Sequence, residues 1–216
     1  MAEPGQLRIS EIFYSLQGES SYTGMPTVFI RLTGCPLRCG YCDTAYAFTG
    51  GNSQSIEAVL QQVKIHGAQY VCVTGGEPLA QKSCVDLLQQ LCDVGYRVSL
   101  ETSGALDISD VDPRVMRVMD LKTPGSGEVS KNLYSNIDCL SANDEVKFVI
   151  CNRDDYVWAC DVLKQYKLAD ICKVLFSPSY TTLQPQDLAE WILHDKLSVR
   201  MQIQLHKYLW GEKQGV

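Results

Sequence analysis

The sequence predicts an α/β fold on a mostly parallel sheet. Three observations carry this: strand-like apolar runs alternate with amphipathic stretches, the Gly-rich and polar punctuation falls after the strands, and no linker divides the 216 residues. In sequence order, the strands are expected at Thr27 to Thr33, Tyr70 to Thr74, Arg97 to Thr102, Val115 to Leu121, Glu145 to Ile150, Lys173 to Phe176 and Val199 to Gln204. Helices are expected near Ser55 to His66, Ser83 to Val94, Asp154 to Tyr166 and Pro185 to His194. Right-handed crossovers between parallel strands leave two architectures, a doubly wound sheet or a closed or partial (β/α) barrel. A full eight-stranded barrel takes about 250 residues, so this chain is expected to form a shortened one of about six strands. Residues 126–143 are the least readable stretch and are expected to form a partly mobile lid. A single domain spanning 1–216 follows.

Both architectures collect ligands at the C-terminal ends of the strands. The punctuation there is Cys35 to Cys42 after the first strand, Gly75-Gly76-Glu77-Pro78 after the second, Ser103-Gly104 after the third and Lys122-Thr123 after the fourth. Cys35, Cys39 and Cys42 stand in a Cys-x3-Cys-x2-Cys spacing. Three thiolates on one loop can hold three irons of a cubane cluster and leave the fourth iron open to a cofactor. A closed zinc site would instead need a fourth Cys or His from elsewhere. The other seven cysteines, Cys72, Cys84, Cys92, Cys139, Cys151, Cys160 and Cys172, mostly have apolar neighbours and read as core filler. Two glycines at 75 and 76 let backbone approach a ligand closely.

A net charge of −6 argues against a phosphate-tracking surface, so nucleic acid is not expected as a partner. The N-terminal residues lack the basic start and apolar run of a secretory leader, and no apolar stretch is long enough to cross a bilayer. A cytoplasmic location is expected, where clustered cysteines read as metal-binding.

The cysteine triplet together with Gly75-Gly76-Glu77-Pro78 resembles the radical S-adenosylmethionine (SAM) superfamily, which implies a 4Fe-4S cluster, SAM and a partial barrel of the radical SAM type. The resemblance implies SAM contacts from Tyr41, Cys42, Asp43, Gly76, Glu77, Ser103, Asp120, Leu121 and Lys122, and from Phe176-Ser177-Pro178-Ser179 near the adenine. Further segments, Leu16-Gln17-Gly18-Glu19, Phe29-Ile30-Arg31-Leu32, Cys42-Asp43-Thr44 and His206-Lys207-Tyr208-Leu209, resemble the 7-carboxy-7-deazaguanine synthase family along nearly the whole chain.

This resemblance implies contraction of the ring of 6-carboxy-5,6,7,8-tetrahydropterin with loss of ammonia, on the way to queuosine and related 7-deazapurines. It implies Leu16, Gln17, Gly18, Glu19, Thr74 and His206 at the pterin, and Thr44 at Mg2+. It also implies closure of the pocket by the N- and C-terminal segments, a homodimer, and an electron donor of the flavodoxin or ferredoxin type. Arg31 is expected to pair with the pterin carboxylate, being placed in an apolar strand with no acidic partner evident in the sequence. A terminal proline common in relatives is replaced here by a tail from Trp210 to Val216. Two other readings stand beside this one: a radical SAM activating enzyme acting on a protein, and a non-catalytic zinc or iron-sulfur module.

Overall fold

A computed structural model describes residues 5–180 and 182–216. Among the described residues nine strands, β1 (Gln6–Leu16), β2 (Pro26–Leu32), β3 (Asn52–Ser55), β4 (Tyr70–Gly75), β5 (Arg97–Thr102), β6 (Met116–Asp120), β7 (Glu145–Ile150), β8 (Lys173–Pro178) and β9 (Arg200–Met201), form one open sheet in the order β3-β1-β2-β4-β5-β6-β7-β8-β9. From β2 to β9 every pairing is parallel, while β1 and β3 are antiparallel to their neighbours. In the parallel part, from β2 to β9, strand order advances with the chain without reversal, which excludes the doubly wound alternative and leaves a partial (β/α) barrel whose six long parallel strands run from β2 to β8. Same-handed crossovers advancing in one direction put their helices on one face.

The α-helices among the described residues are α1 (Ile56–Ile65), α2 (Ser83–Asp93), α3 (Arg153–Gln165), α4 (Leu168–Ile171), α5 (Pro185–Asp195) and α6 (Leu205–Trp210). Local chemistry sets their starts. Ser55 and Asn152 cap α1 and α3 by accepting from the backbone N–H groups of Ala58 and Asp155. Pro185 opens α5, where a missing N–H costs nothing.

Period-2 alternation then sorts the side chains. Val28, Ile30 and Leu32, Val71 and Val73, Val98 and Leu100, and Val146, Phe148 and Ile150 are buried in the core shared with the helices. The opposite face carries Arg31, Thr74, Glu101, Asp120 and Lys147, all on the wall of one cavity.

Three expectations need correction. β1 is an eleven-residue strand that the sequence reading did not assign, because a bulge between Ile9 and Glu11 breaks its alternation. The strand expected at 199–204 pairs only at Arg200–Met201, since Gln202 turns inward to accept from the N–H of Ser20 at 2.8 Å. The stretch 126–143 is not a free lid. Asn132 exchanges hydrogen bonds with the backbone of Lys122 at 2.8 and 2.9 Å, Asn136 donates to the carbonyls of Gly104 and Leu106, and Ser126 accepts from Gly40 N–H at 3.0 Å.

Candidate active site

A cavity of about 540 Å³ opens at the C-terminal ends of the parallel strands. Of the ten cysteines, only Cys35, Cys39 and Cys42 line it. Their loop is fixed from several sides. Gly34 N–H donates to Ala47 O, Arg38 N–H to Glu128 Oε1 at 2.6 Å and Cys42 N–H to Cys39 O at 3.1 Å, while the Arg38 guanidinium lies 4.2 Å from the Phe48 ring centroid. Burial raises the Cys35 and Cys39 thiols above their ordinary range, with Lys122 pulling the other way at both. Among the described residues, no three His, Cys, Asp or Glu side chains converge as they would around one metal ion. A cluster of several irons spreads its thiolates over a wider span.

The residues fit an iron-sulfur cluster with a nucleoside-bearing cofactor beside it. Three soft thiols face the cavity, and behind them the glycines admit a close approach: a Cβ on Gly76 would strike the carbonyl of Gly34, and one on Gly75 the carbonyl of Leu32. Tyr41 Oη, Asp120 Oδ1 and Ser179 Oγ are buried without a hydrogen-bond partner among the described residues, and all three residues line the cavity. Buried polar atoms are normally satisfied, so this set marks where a polar ligand would bond.

Some expected cofactor residues do not present side chains there. Glu77 is fully buried away from the cavity wall: its carboxylate accepts from Leu79 N–H, from Thr102 Oγ1 and, at 2.7 Å, from Ser103 N–H. It braces the β4 and β5 ends rather than meeting a ligand. Leu121 and Phe176 belong to the helix-packed core, and Phe176 stacks edge-on against Phe148 and Tyr156. Each follows or precedes a cavity-lining residue by one, and alternation turns its side chain the other way. Ser103, Ser177, Pro178, Asp43 and Lys122 do line the cavity.

The expected pterin residues gather at the same cavity. Leu16, Gln17, Gly18, Glu19, Arg31, Thr74 and His206 all line it. The two chain ends meet here, because Leu205 N–H donates to Gly18 O at 3.0 Å and the His206 ring occupies the space that a Cβ on Gly18 would need. Gln17 Nε2 and Thr74 Oγ1 donate to Glu101 at 3.4 and 3.1 Å, and Gln17 Oε1 accepts from Glu19 N–H at 3.1 Å. Val216, at the end of the tail, also reaches the cavity wall.

Arg31 differs from expectation in having an acidic partner. The β1 bulge puts Glu11 opposite Arg31, and Arg31 Nε donates to Glu11 Oε1 at 2.7 Å. The hydroxyl of Tyr46 donates to the same oxygen at 2.8 Å. Burial works hardest against the Arg31 charge, yet Tyr46 and Glu11 raise its pKa. Among the described residues only Nε has a hydrogen-bond partner, so Nη1 and Nη2 remain to take a carboxylate.

Sequence reasoning also missed Lys147 and Gln204, and gave Lys207 no role of its own although it stands in the His206 segment. Lys147 Nζ lies 2.8 Å from Glu19 Oε2 and 3.4 Å from Asp120 Oδ2, and Lys122 Nζ lies 3.1 Å from the same Asp120 oxygen. Burial disfavours charge at all four, but each ion's opposite-sign neighbours win: Glu19 and Asp120 sit below the carboxylate range, Lys122 and Lys147 above the ammonium range.

Comparison with known proteins gives the family of the chain. Residues 29–192 match the model of the radical SAM superfamily. The chain is 44% identical to the 7-carboxy-7-deazaguanine synthase of Chlorobaculum tepidum, over 98% of this chain and 97% of that protein. It is 42% identical to that of Koribacter versatilis, over 97% of this chain and 100% of that protein. The chain belongs to the 7-carboxy-7-deazaguanine synthases of the radical SAM superfamily. A solved structure, QueE from Escherichia coli, shares the fold with a TM-score of 0.76 at 23% identity, over 92% of this chain and 94% of that one. For a synthase of this family the partial barrel, open rather than closed, is the scaffold that brings the Cys35 loop and the Leu16–Glu19 loop to one cavity. No helix among the described residues is long and apolar enough to cross a membrane.

Proposed function

We propose that this radical SAM enzyme converts 6-carboxy-5,6,7,8-tetrahydropterin to 7-carboxy-7-deazaguanine with loss of ammonia, in queuosine and 7-deazapurine biosynthesis. One observation carries the reading at the level of residues: a single cavity holds the three cluster-type thiols and the open guanidinium fork of Arg31. When bound, the 4Fe-4S cluster and SAM supply one-electron chemistry that removes a hydrogen from substrate carbon.

The chain's own residues bind, orient and exclude water. Cys35, Cys39 and Cys42 hold the cluster. Asp120, Ser103, Lys122 and the segment from Ser177 to Ser179 surround SAM, with Asp120 Oδ1 suited to a ribose hydroxyl. Gln17, Thr74 and Glu101 form a hydrogen-bonded set facing the pterin's amide and amine edges, and the Nη atoms of Arg31 take its carboxylate. His206 and the C-terminal segment close the far side. These contacts fix the reacting carbon in one orientation, which is the protein's main contribution to rate.

Mg2+ is the third cofactor proposed, at Thr44. Thr44 Oγ1 donates its proton to Asp43 Oδ1 at 2.8 Å, which leaves the hydroxyl lone pairs for a hard cation. Burial raises the Asp43 pKa, but Thr44, Lys207, His206 and Lys147 outweigh it, so the carboxylate stays ionised. A homodimer and an electron donor of the flavodoxin or ferredoxin type are proposed with this reading and rest on the family resemblance.

The test is an anaerobic assay of the cluster-loaded enzyme with SAM, Mg2+, a reductant and the carboxylated tetrahydropterin, with product followed by mass. Formation of the deazaguanine acid supports the reading. Turnover of SAM with no pterin consumed, alongside radical formation on an added protein, would support the activating-enzyme alternative.

Arg31→Ala should raise KM for the pterin while cluster content and uncoupled SAM cleavage persist. Losing one partner of a buried, charge-assisted pair costs about 2–5 kcal/mol, or roughly thirty- to several-thousand-fold in affinity. Glu11 adds to the loss, because without Arg31 its carboxylate repels the incoming one. An unchanged KM would remove Arg31 from the carboxylate site.

A further inference from the structure

Lys147 belongs to none of the motifs that announce the site, yet it occupies a junction within it. On β7 it shares the cavity face with Val149, while Val146, Phe148 and Ile150 face the core. Its ammonium spans two groups from different parts of the chain, Glu19 of the N-terminal loop at 2.8 Å and Asp120 at the end of β6 at 3.4 Å. Each carboxylate has its own further tie. Glu19 Oε1 accepts from Gln204 Nε2 at 2.9 Å, which brings in the C-terminal segment, and Asp120 Oδ2 is 3.1 Å from Lys122 Nζ. The Lys147 and Glu19 side chains are only 13% and 12% exposed, so water screens their pair poorly.

We propose that Lys147 is a positioning residue that couples SAM binding to substrate binding by holding Glu19 and Asp120 in one shared ion network. This rests on the reading above, in which Asp120 faces SAM and Glu19 faces the pterin. The physical route is short. A ribose hydroxyl on Asp120 Oδ1 fixes that carboxylate, a fixed Asp120 fixes the ammonium, and the ammonium fixes Glu19 with Gln204. Whichever ligand arrives first meets the ordering cost, and the second binds to a network already arranged. Coupling of this kind is reciprocal, so SAM must tighten pterin by the same factor as pterin tightens SAM.

The test is equilibrium binding to the full-length, cluster-loaded enzyme under anaerobic conditions without reductant, so that no turnover intervenes. SAM is titrated with and without saturating carboxytetrahydropterin, and pterin with and without saturating SAM. In the wild type each ligand should tighten the other by on the order of tenfold, inside the roughly 5–150-fold range usual for coupled sites. In Lys147→Met the factor should fall to about one in both directions, with iron content unchanged, while Lys147→Arg, which keeps the charge, should retain part of it.

A merely structural role would weaken each ligand and leave the ratio intact, and that result would overturn the proposal. So would a wild type that binds both ligands with no mutual effect. If the wild type binds SAM but not the pterin, the substrate reading itself fails, and the coupling fails with it. Should Lys147→Met not fold, Lys147→Gln removes the charge and keeps a donor, and the same ratio decides.

Discussion

Cys39→Ala should yield a folded protein that is colourless, short of iron and without detectable product. Cys39 lies half-exposed on the cavity wall, outside the apolar core, so truncating it deletes a ligand without opening a void in the packing. Three cysteines are the minimum that holds a cubane with one iron left for SAM, and none of the other seven lines the cavity to replace the lost thiolate. Iron and sulfide analysis after anaerobic reconstitution, with SAM titration, checks the result. Retention of iron and SAM affinity by the variant would sink the assignment. Cys151→Ala is the paired control, because Cys151 neighbours Ser179, which lies on the cavity wall. A four-ligand zinc or cluster module using Cys151 would lose its metal in that variant, whereas a three-cysteine site keeps it.

The parts of this molecule legible in the sequence are those written in short-range pattern. The central strands Arg97–Thr102 and Glu145–Ile150 fall where their apolar residues place them, because Val98 and Leu100, and Val146, Phe148 and Ile150, recur at the period of two that turns one face of a strand to the core. The cysteine triplet and the glycines at 75 and 76 are legible because their chemistry depends on spacing. Glu11 and Lys147 are not, for a shared reason. Each acquires its role from a partner far along the chain, Arg31 across an antiparallel bulge and Glu19 from 128 residues away. Phe176 and Leu121 show the converse error: they stand beside cavity residues in sequence, and one step along a strand reverses the face.

The same long-range logic governs the largest stability effect expected. Arg117 and Asp144 form a buried ion pair at the N-terminal ends of β6 and β7, away from the rim that holds the site. Asp144 is fully buried and accepts five hydrogen bonds: Arg117 N–H at 2.9 Å, Nε at 3.0 Å and Nη2 at 2.9 Å, and Ser141 N–H and Oγ at 2.8 Å each. The guanidinium binds side-on through two parallel donors, the arrangement that best offsets the cost of taking both charges out of water. Asp144→Ala strands the Arg117 charge and two backbone N–H groups inside the protein. Breaking such a pair costs about 3–5 kcal/mol, and at roughly 2–4 °C per kcal/mol for a domain of this size Tm should fall by roughly 6–20 °C. Thermal unfolding of the cluster-loaded protein measures it, and KM at a temperature where the variant is still folded should be unchanged. Arg117→Leu combined with Asp144→Asn should recover part of the loss, since no buried charge is left alone and the single Asn oxygen still accepts from one of the two backbone N–H groups that Asp144 holds on separate oxygens. A fall of less than about 1 kcal/mol in Asp144→Ala, the size of an exposed pair, would show that water reaches this one.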